Sequence, residues 1–384
     1  MNFIQKHFTN NKDILGVYTK KIAFKGPELA SIDITQNCNN SCIGCWCFSQ
    51  DLGTEIIQGE QKLEKLSVDL MDRLTTDLVS MGTLRVNLSG GGDPLMHPDF
   101  LPICQMIKKK GMSLNVNTSF VLMTKRKLDF LKDIGIDHIH VSLWAATPGM
   151  YVKTHPTMTK KVFLKLVEDM HYMHSLRIKF NIYNVLSNVN YTETERMVKL
   201  AEDVGAESME FTIMDIIPGK TDTYTLSGEQ KDELLHQLRK LRGIDHKIKL
   251  WNIDDAIARL EGKTIREGNM HLVDRIPCRI GWTYVRVMSN GNVVPCCKGH
   301  NKPLGNLHST SFRTIWYGHT YNQFRNLSLT KKKNHPYFKP FDCYRACDNV
   351  VNNKETMYRL EKMHPAVKGA LKGIALIPIM VSKE

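Results

Sequence analysis

The sequence predicts an α/β fold, a partial (β/α)6 TIM barrel with a smaller α+β segment after it. Up to residue 215, six strand-like runs are separated by helical patterns, and this alternation then ends. Strands joined through helices form a parallel sheet with right-handed crossovers. Six such units are too few to close an eight-unit barrel. We therefore expect a barrel that is open on one side, where a substrate can enter.

Hydrophobic periodicity places the elements in chain order. We predict strands over residues 30–35, 84–89, 113–117, 137–144, 177–184 and 207–214. Helices are predicted over residues 62–80, 97–110, 125–132, 148–174 with a break at Pro156, and 191–204. The first helix should present Leu63, Leu66, Leu70, Leu74 and Leu78 on one stripe. Later helices are expected over 227–242, with Ser227 as the N-cap, over 254–260 and over 354–363.

We divide the chain into five parts on these patterns. They are an N-terminal lead-in (1–25), the barrel (26–217), a helical linker (218–270), a second cysteine-bearing domain (271–350), and a terminal helix and tail (351–384).

Composition narrows the class of protein. The 384 residues suffice for a sizeable core, and the formal charge of +13 suits an anionic substrate. Lysines are spread along the predicted helices, which favours a solvated basic surface over a stable nucleic-acid site. The apolar run 373–381 is too short to span a membrane; we expect it to pack on the core, with membrane contact as the alternative. No signal peptide is visible, so we expect a cytoplasmic protein whose clustered cysteines bind metal.

The first chemical motif is a loop with three cysteines, Cys38, Cys42 and Cys45, directly after the first strand. Soft thiolates at this spacing are typical of an iron–sulfur cluster or of zinc. Three protein ligands leave one iron of a cubane cluster available for another molecule. A structural zinc site with Cys47 as fourth ligand is the alternative, but it explains neither the glycine run described next nor the β/α repeat.

The glycine run Gly90-Gly91-Gly92-Asp93-Pro94 follows the second strand. Together with the cysteine loop, it makes the sequence resemble the radical S-adenosylmethionine (SAM) enzymes. The resemblance implies a [4Fe–4S] cluster whose open iron binds SAM. Electron transfer from that cluster would then cleave SAM to a 5′-deoxyadenosyl radical, which abstracts a substrate hydrogen.

Ligands of parallel β/α sheets bind beyond the carboxyl ends of the strands, so we expect the SAM contacts there. The candidates are Gly90, Gly91, Gly92, Asp93, Asn117, Thr118, Ser142, Asn184, Asn188 and Met214. Two positions depart from the family pattern. Asp93 stands where a glutamate is usual, and Gly44 stands where a bulky residue is common, with Trp46 as a substitute apolar cover.

A second cysteine set begins at Cys278 and continues with Cys296, Cys297, Cys343 and Cys347. A strong hairpin signal at residues 290–291 brings the first two cysteines of the set together. This segment resembles the C-terminal extension called SPASM, or its shorter form, twitch. The resemblance implies a second, auxiliary [4Fe–4S] cluster held by Cys278, Cys296, Cys343 and Cys347, with Cys297 interchangeable with Cys296. A zinc ribbon is the alternative.

The resemblance implies a radical SAM oxidoreductase that receives electrons from a reductant such as flavodoxin or ferredoxin. We expect it to dehydrogenate a small polyol, aminocyclitol or sugar, with the auxiliary cluster as electron acceptor. Alternatives are a peptide- or protein-modifying maturase, a dehydratase or epimerase of a nucleotide- or lipid-linked substrate, and a non-catalytic metal-binding protein. About 25 residues precede the first strand, which is short for a leader-recognising domain and favours a small molecule. Candidate general bases are Tyr183, His140, His155 and Arg279.

Overall fold

The computed structural model describes residues 16–18, 22–262, 274, 277–341, 343, 347, 349–363 and 365. Most of the predicted lead-in and the whole apolar run 373–381 lie outside the described residues. Among the described residues, no helix has the length and apolar character required to cross a bilayer.

The strands form one ten-stranded sheet in the order β10-β9-β8-β1-β2-β3-β4-β5-β6-β7. Their bounds are β1 Leu29–Asp33, β2 Arg85–Ser89, β3 Ser113–Thr118, β4 His138–Ser142, β5 Phe180–Leu186, β6 Ser208–Ile213, β7 Lys249–Leu250, β8 Tyr284–Val287, β9 Asn292–Val294 and β10 Gly305–Asn306. Strands β1 to β6 pair in parallel and in sequence order. The predicted partial barrel is therefore confirmed.

Helices connect the strands and cover the outer face of the sheet. They are α1 Gly59–Leu63, α2 Val68–Ser80, α3 Phe100–Lys109, α4 Lys125–Asp133, α5 Pro148–Thr154, α6 Lys160–Ser175, α7 Thr194–Asp203, α8 Gly228–Arg242, α9 Ile253–Leu260, α10 Ile280–Thr283, α11 Phe312–Tyr317, α12 His319–Thr330 and α13 Val350–Glu361.

The prediction for residues 62–80 was wrong at its start. The helix is interrupted, and α2 begins after Ser67, whose hydroxyl accepts a hydrogen bond from Leu70 N at 3.2 Å. Leu63 is 71% exposed and lies off the predicted stripe, whereas the other four leucines are buried. The N-cap at Ser67 therefore determines where the helix begins, although the apolar spacing in the sequence extends back to Leu63. By contrast, Ser227 caps α8 as predicted, within a capping box.

The sheet extends beyond the six predicted barrel strands at both edges. Strand β8 pairs in parallel with β1, and the predicted hairpin joins β8 to β9 in antiparallel fashion. Strand β7 pairs with β6 at the other edge. The second cysteine-bearing segment therefore continues the barrel sheet rather than standing apart from it.

A buried arginine holds this second segment together. Arg325 Nε donates to Gly281 O at 2.8 Å and its Nη1 donates to Trp316 O at 2.7 Å. Its guanidinium also lies over the rings of Trp316 and Tyr321. Burial lowers the pKa of Arg325 to about 10, so the side chain remains charged at neutral pH.

Side chains alternate between the two faces of the barrel strands. Those that point outward are apolar and pack against the helices, as Val116, Val141 and Ile182 do. Those that point inward are largely polar, including Asn117 and His140. The partial barrel therefore encloses a polar interior rather than an apolar core.

Candidate functional site

The loop after β1 brings three thiols together. Cys38, Cys42 and Cys45 are all half-buried. Burial raises the pKa of Cys38 to about 12 and raises the pKa of Cys42 well above its usual value, and the neighbouring thiols add to both shifts. Uncompensated thiolates are unfavourable here. A metal cluster would supply the positive charge that stabilises them.

A glycine lets this loop fold against the end of β6. Gly44 has φ of +65°, and a Cβ there would lie 2.5 Å from Met214 Sδ. Ile43 N also donates to Thr154 O at 3.0 Å. The departure from a bulky residue at this position therefore has a physical reason, because Met214 fills the space. Met214 packs on the cysteine loop, in addition to any contact with SAM.

The glycine run lies against the residues that precede the cysteine loop. A Cβ on Gly92 would lie 2.0 Å from Asn37 O, and one on Gly91 would lie 2.2 Å from Gln36 Nε2. Asp93 N donates to Asn37 O at 2.9 Å. The glycine run, which we predicted to contact SAM, thus lies close to the chain itself and positions the cysteine loop.

The carboxylate of Asp93 is buried and fully engaged within the protein. It accepts hydrogen bonds from Thr118 Oγ1 at 2.9 Å, from Ser119 N at 2.7 Å and Oγ at 2.6 Å, and from Leu95 N at 2.9 Å. We therefore revise the expectation that Asp93 and Thr118 contact SAM through their side chains. They join the ends of β2 and β3.

The remaining predicted SAM contacts are divided between the two faces of the sheet. Asn117 and Ser142 are on inward-facing positions of β3 and β4. Asn184 is on the opposite face from the cavity-lining Tyr183, and it is buried with both amide atoms unpartnered. Asn188 Nδ2 donates to Thr223 O at 2.8 Å. The structure therefore does not bring Asn184 to the inner face with the others.

A buried ion pair that the sequence analysis missed joins the barrel to the second cysteine segment. Arg286 Nε and Nη2 lie 2.8 and 2.6 Å from Asp33 Oδ2, and Asp33 is only 1% exposed. The charges of both residues influence the pKa of Cys47, and Cys297 influences the pKa of Arg286. A charged residue at an inward position of β1 was the available sequence signal.

The second cysteine set converges on Cys296. Burial raises the pKa of this thiol well above its usual value, and the charges of the other four cysteines of the set raise it further. The neighbouring Cys297 lies 3.5 Å from the Tyr284 hydroxyl. Cys104 is fully buried in α3, as expected for an apolar packing residue.

One lysine links the two cysteine segments. Lys298 directly follows Cys297 and is 4% exposed. Its Nζ lies 3.4 Å from the ring centroid of Trp46, within the first loop, and 3.0 Å from Asp215 Oδ2 after β6. The ammonium group therefore has partners on two segments, the first cysteine loop and the end of β6, in addition to its own.

Both cysteine sets fit iron–sulfur clusters by donor chemistry: three soft thiolates in the first loop and four or five in the second. Among the described residues, no group of three or more His, Cys, Asp or Glu side chains has the arrangement that would hold a single metal ion.

The polar interior forms a cavity of about 1180 Å³ along the inner faces of the barrel strands. Tyr183 and His140 line it, with their rings stacked at a centroid distance of 5.0 Å. Burial lowers the pKa of His140 to about 4. The other two nominated bases lie elsewhere: His155 stacks on Tyr151, and Arg279 donates to Pro277 O at 3.2 Å beside the second cysteine set.

Comparison with known proteins gives two family matches. A model described as the radical SAM superfamily matches residues 32–201, and one described as an iron–sulfur cluster-binding domain, SPASM, matches residues 278–348. These ranges contain the first and second cysteine sets respectively.

Individual relatives are distant in sequence. The tungsten-containing aldehyde ferredoxin oxidoreductase cofactor-modifying protein of Pyrococcus furiosus is 24% identical over 83% of this chain and 88% of its own length. PqqA peptide cyclase of Ruegeria pomeroyi is 23% identical over 75% and 73%. The fold is similar to that of Streptococcus suis SuiB bound to precursor peptide SuiA, with a TM-score of 0.60, 16% identity, and coverage of 84% of this chain and 70% of SuiB.

Proposed function

The chain is a radical SAM protein with a C-terminal SPASM domain, and from that premise we propose that it is an enzyme that modifies a peptide or protein substrate. One observation carries the proposal. The three-thiol loop and the second thiol set belong to one continuous sheet, and Lys298 links the two segments. This arrangement suits radical generation beside a second electron-transfer site.

The relatives support the peptide alternative over the small-polyol oxidation that the sequence analysis favoured. PqqA peptide cyclase is named for a peptide substrate, and SuiB binds a precursor peptide. The Pyrococcus furiosus relative is named for modifying a cofactor. The substrate test must therefore distinguish a peptide substrate from a small-molecule substrate.

We propose that Cys38, Cys42 and Cys45 hold the SAM-binding cluster. With SAM bound and one electron from a reductant, such a cluster would supply the radical chemistry that removes a hydrogen atom from a substrate carbon. Two contacts within the chain position the cysteine loop. The glycine run packs against Gln36 and Asn37, which precede the loop, and Met214 packs against Gly44.

We further propose that Cys278, Cys296, Cys343 and Cys347 hold the auxiliary cluster, with Cys297 turned toward Tyr284. The predicted domains 26–217 and 271–350 would then each carry one cluster. The ion pair of Arg286 with Asp33 is placed to keep the two at a constant separation.

The test begins with anaerobic reconstitution and reduction in the presence of SAM. We expect about eight irons per chain, from two four-iron clusters, and formation of 5′-deoxyadenosine that is lost in Cys42→Ala. About four irons would remove the auxiliary cluster from the proposal.

The substrate class is tested by offering the reconstituted enzyme desalted peptide and small-metabolite fractions of the source cells separately. We expect a SAM-dependent mass change in a peptide, absent with Cys42→Ala. Turnover with the metabolite fraction alone would overturn the peptide assignment and leave the radical chemistry intact.

A further inference from the structure

The cavity inside the barrel opens at the amino ends of the strands. Its mouth is lined by Arg85, the first residue of β2, by Lys249, the first residue of β7, and by Arg177 and Lys179 just before β5. The cysteine loop follows the carboxyl end of β1. The mouth is therefore at the opposite end of the sheet from that loop, and the cavity connects the mouth with the barrel interior.

Unpartnered polar atoms face this cavity from four neighbouring strands. They are Oδ1 of Asn87, Asn117 and Asn181, and Nδ1 of His138 and His140. Asn117 is paired with His140 across β3 and β4, and His140 with Asn181 across β4 and β5, so three of the five residues lie side by side. Buried polar groups are normally hydrogen-bonded, so these five atoms require partners from water or from a ligand in the cavity.

The three amide oxygens act as hydrogen-bond acceptors, and each neutral imidazole offers one further acceptor nitrogen. Burial lowers the pKa of both histidines, so their rings are neutral at pH 7. His138 Nε2 lies 3.5 Å from Glu207, which leaves Nδ1 as the acceptor. Asn181 lies near His140 but forms no hydrogen bond of normal geometry through Oδ1. The interior thus suits a ligand that offers several N–H or O–H donors.

The mouth of the cavity carries cationic side chains, whereas the interior offers hydrogen-bond acceptors. In the part of the chain described here, Arg177 and Lys249 have no carboxylate partner, and Lys249 lies 3.4 Å above the ring of the exposed Trp251. Lys179 lies 3.6 Å from Glu207 and Arg85 lies 3.9 Å from Glu28, both at loose ion-pair distances. The rim also includes Asp137, which pairs with Lys108, and Glu207, so the cations available to an anionic group are Arg177 and Lys249.

From these observations, and resting on the proposed peptide-modifying function, we propose that the amino-end mouth binds a peptide segment with an acidic residue. The carboxylate contacts the rim at Arg177 and Lys249. The donor-rich residues beside it enter the cavity and bind Asn117, His140 and Asn181. A volume of about 1180 Å³ accommodates several residues in extended form.

Binding is measured on the reconstituted holoprotein without SAM, by saturation-transfer NMR. The probes are acetyl-Glu-Gly-Asn-Ser-Gly-amide, the same peptide with Gln in place of Glu, the free-acid form of the Gln peptide, and maltotriose. We expect millimolar binding of the Glu peptide and about fivefold weaker binding of the Gln amide, the range of an exposed ion pair. Recovery with the Gln free acid would identify a terminal carboxylate as an equally good source of the charge.

The variants separate the rim from the interior. Lys249→Ala should abolish the preference for Glu over Gln, whereas Lys161→Ala, an exposed lysine on α6, should leave it unchanged. Asn181→Leu should weaken both peptides about tenfold, the effect expected of one buried hydrogen-bond partner. Its melting temperature and iron content serve as the folding check. His140→Phe provides a second interior variant if Asn181→Leu is misfolded.

Equal affinity for the Glu and Gln amides, absence of binding by all peptides, or displacement of the peptide by maltotriose would each overturn the proposal. SAM cleavage and substrate turnover are measured separately. Such a result would therefore reject the binding site without rejecting the peptide-modifying function.

Discussion

Replacing Gly92 by alanine should separate the glycine run from the cysteine loop. The new Cβ would lie 2.0 Å from Asn37 O, 2.4 Å from Asn37 C and 2.6 Å from Gln36 C. All three neighbours are backbone atoms, so no flexible side chain can move aside. The two segments must part by roughly 1 Å to reach a normal contact distance.

That separation breaks or lengthens two hydrogen bonds, from Asp93 N to Asn37 O at 2.9 Å and from Gly92 N to Thr35 O at 3.3 Å. Each is worth about 1 kcal/mol, and the buried groups left behind add to the loss. We therefore expect Gly92→Ala to lower the free energy of unfolding by about 2–4 kcal/mol.

The assay is urea denaturation of the cluster-free protein, followed by circular dichroism and analysed by linear extrapolation. The matched control is Gly149→Ala in α5, where a Cβ has no neighbour within 4 Å and φ is not positive. The control should be neutral or slightly stabilising, by less than about 1 kcal/mol. Iron content after reconstitution should fall in Gly92→Ala alone, because Asn37 precedes Cys38. A Gly92→Ala protein within about 0.5 kcal/mol of the parent would refute the reasoning.

Further expectations concern charge and ligation. Lys298→Met should lower the midpoint potential of at least one cluster in potentiometric EPR, because a buried cation favours the more negative reduced state; unchanged potentials would contradict it. Burial lowers the pKa of His155 to about 4, so the unfolded state binds more protons from about pH 6.5 down to 4, and stability falls across that window. His155→Gln should remove up to about 3 kcal/mol of this pH dependence in urea titrations, and an unaltered slope would exclude His155 as its source. Cys278→Ser should halve the iron content, whereas Cys47→Ser should retain it; equal losses would return Cys47 to the ligand set.

The sequence alone was sufficient for the repeated β/α pattern, the two cysteine sets and the hairpin at residues 290–291. Each of these is a local signal: strand and helix periods repeat within about ten residues, and turn residues act on their immediate neighbours. The same local reasoning erred at Leu63, where the cap at Ser67 restarts the helix. It also placed a small molecule first, because the residues of the chain specify cluster chemistry more directly than substrate.

Only the tertiary structure decided how the two halves meet. The pairing of β8 with β1, the ion pair of Asp33 with Arg286, and the position of Lys298 on Trp46 join residues far apart in the chain, by 253 positions for the ion pair. Such contacts produce no periodic pattern in the sequence, because each partner by itself resembles an ordinary strand or loop residue. Asp93 shows the same limit, since its spacing predicted a ligand contact and its hydrogen bonds connect two strand ends. Local periodicity follows from backbone geometry, whereas the choice among distant partners follows from three-dimensional packing.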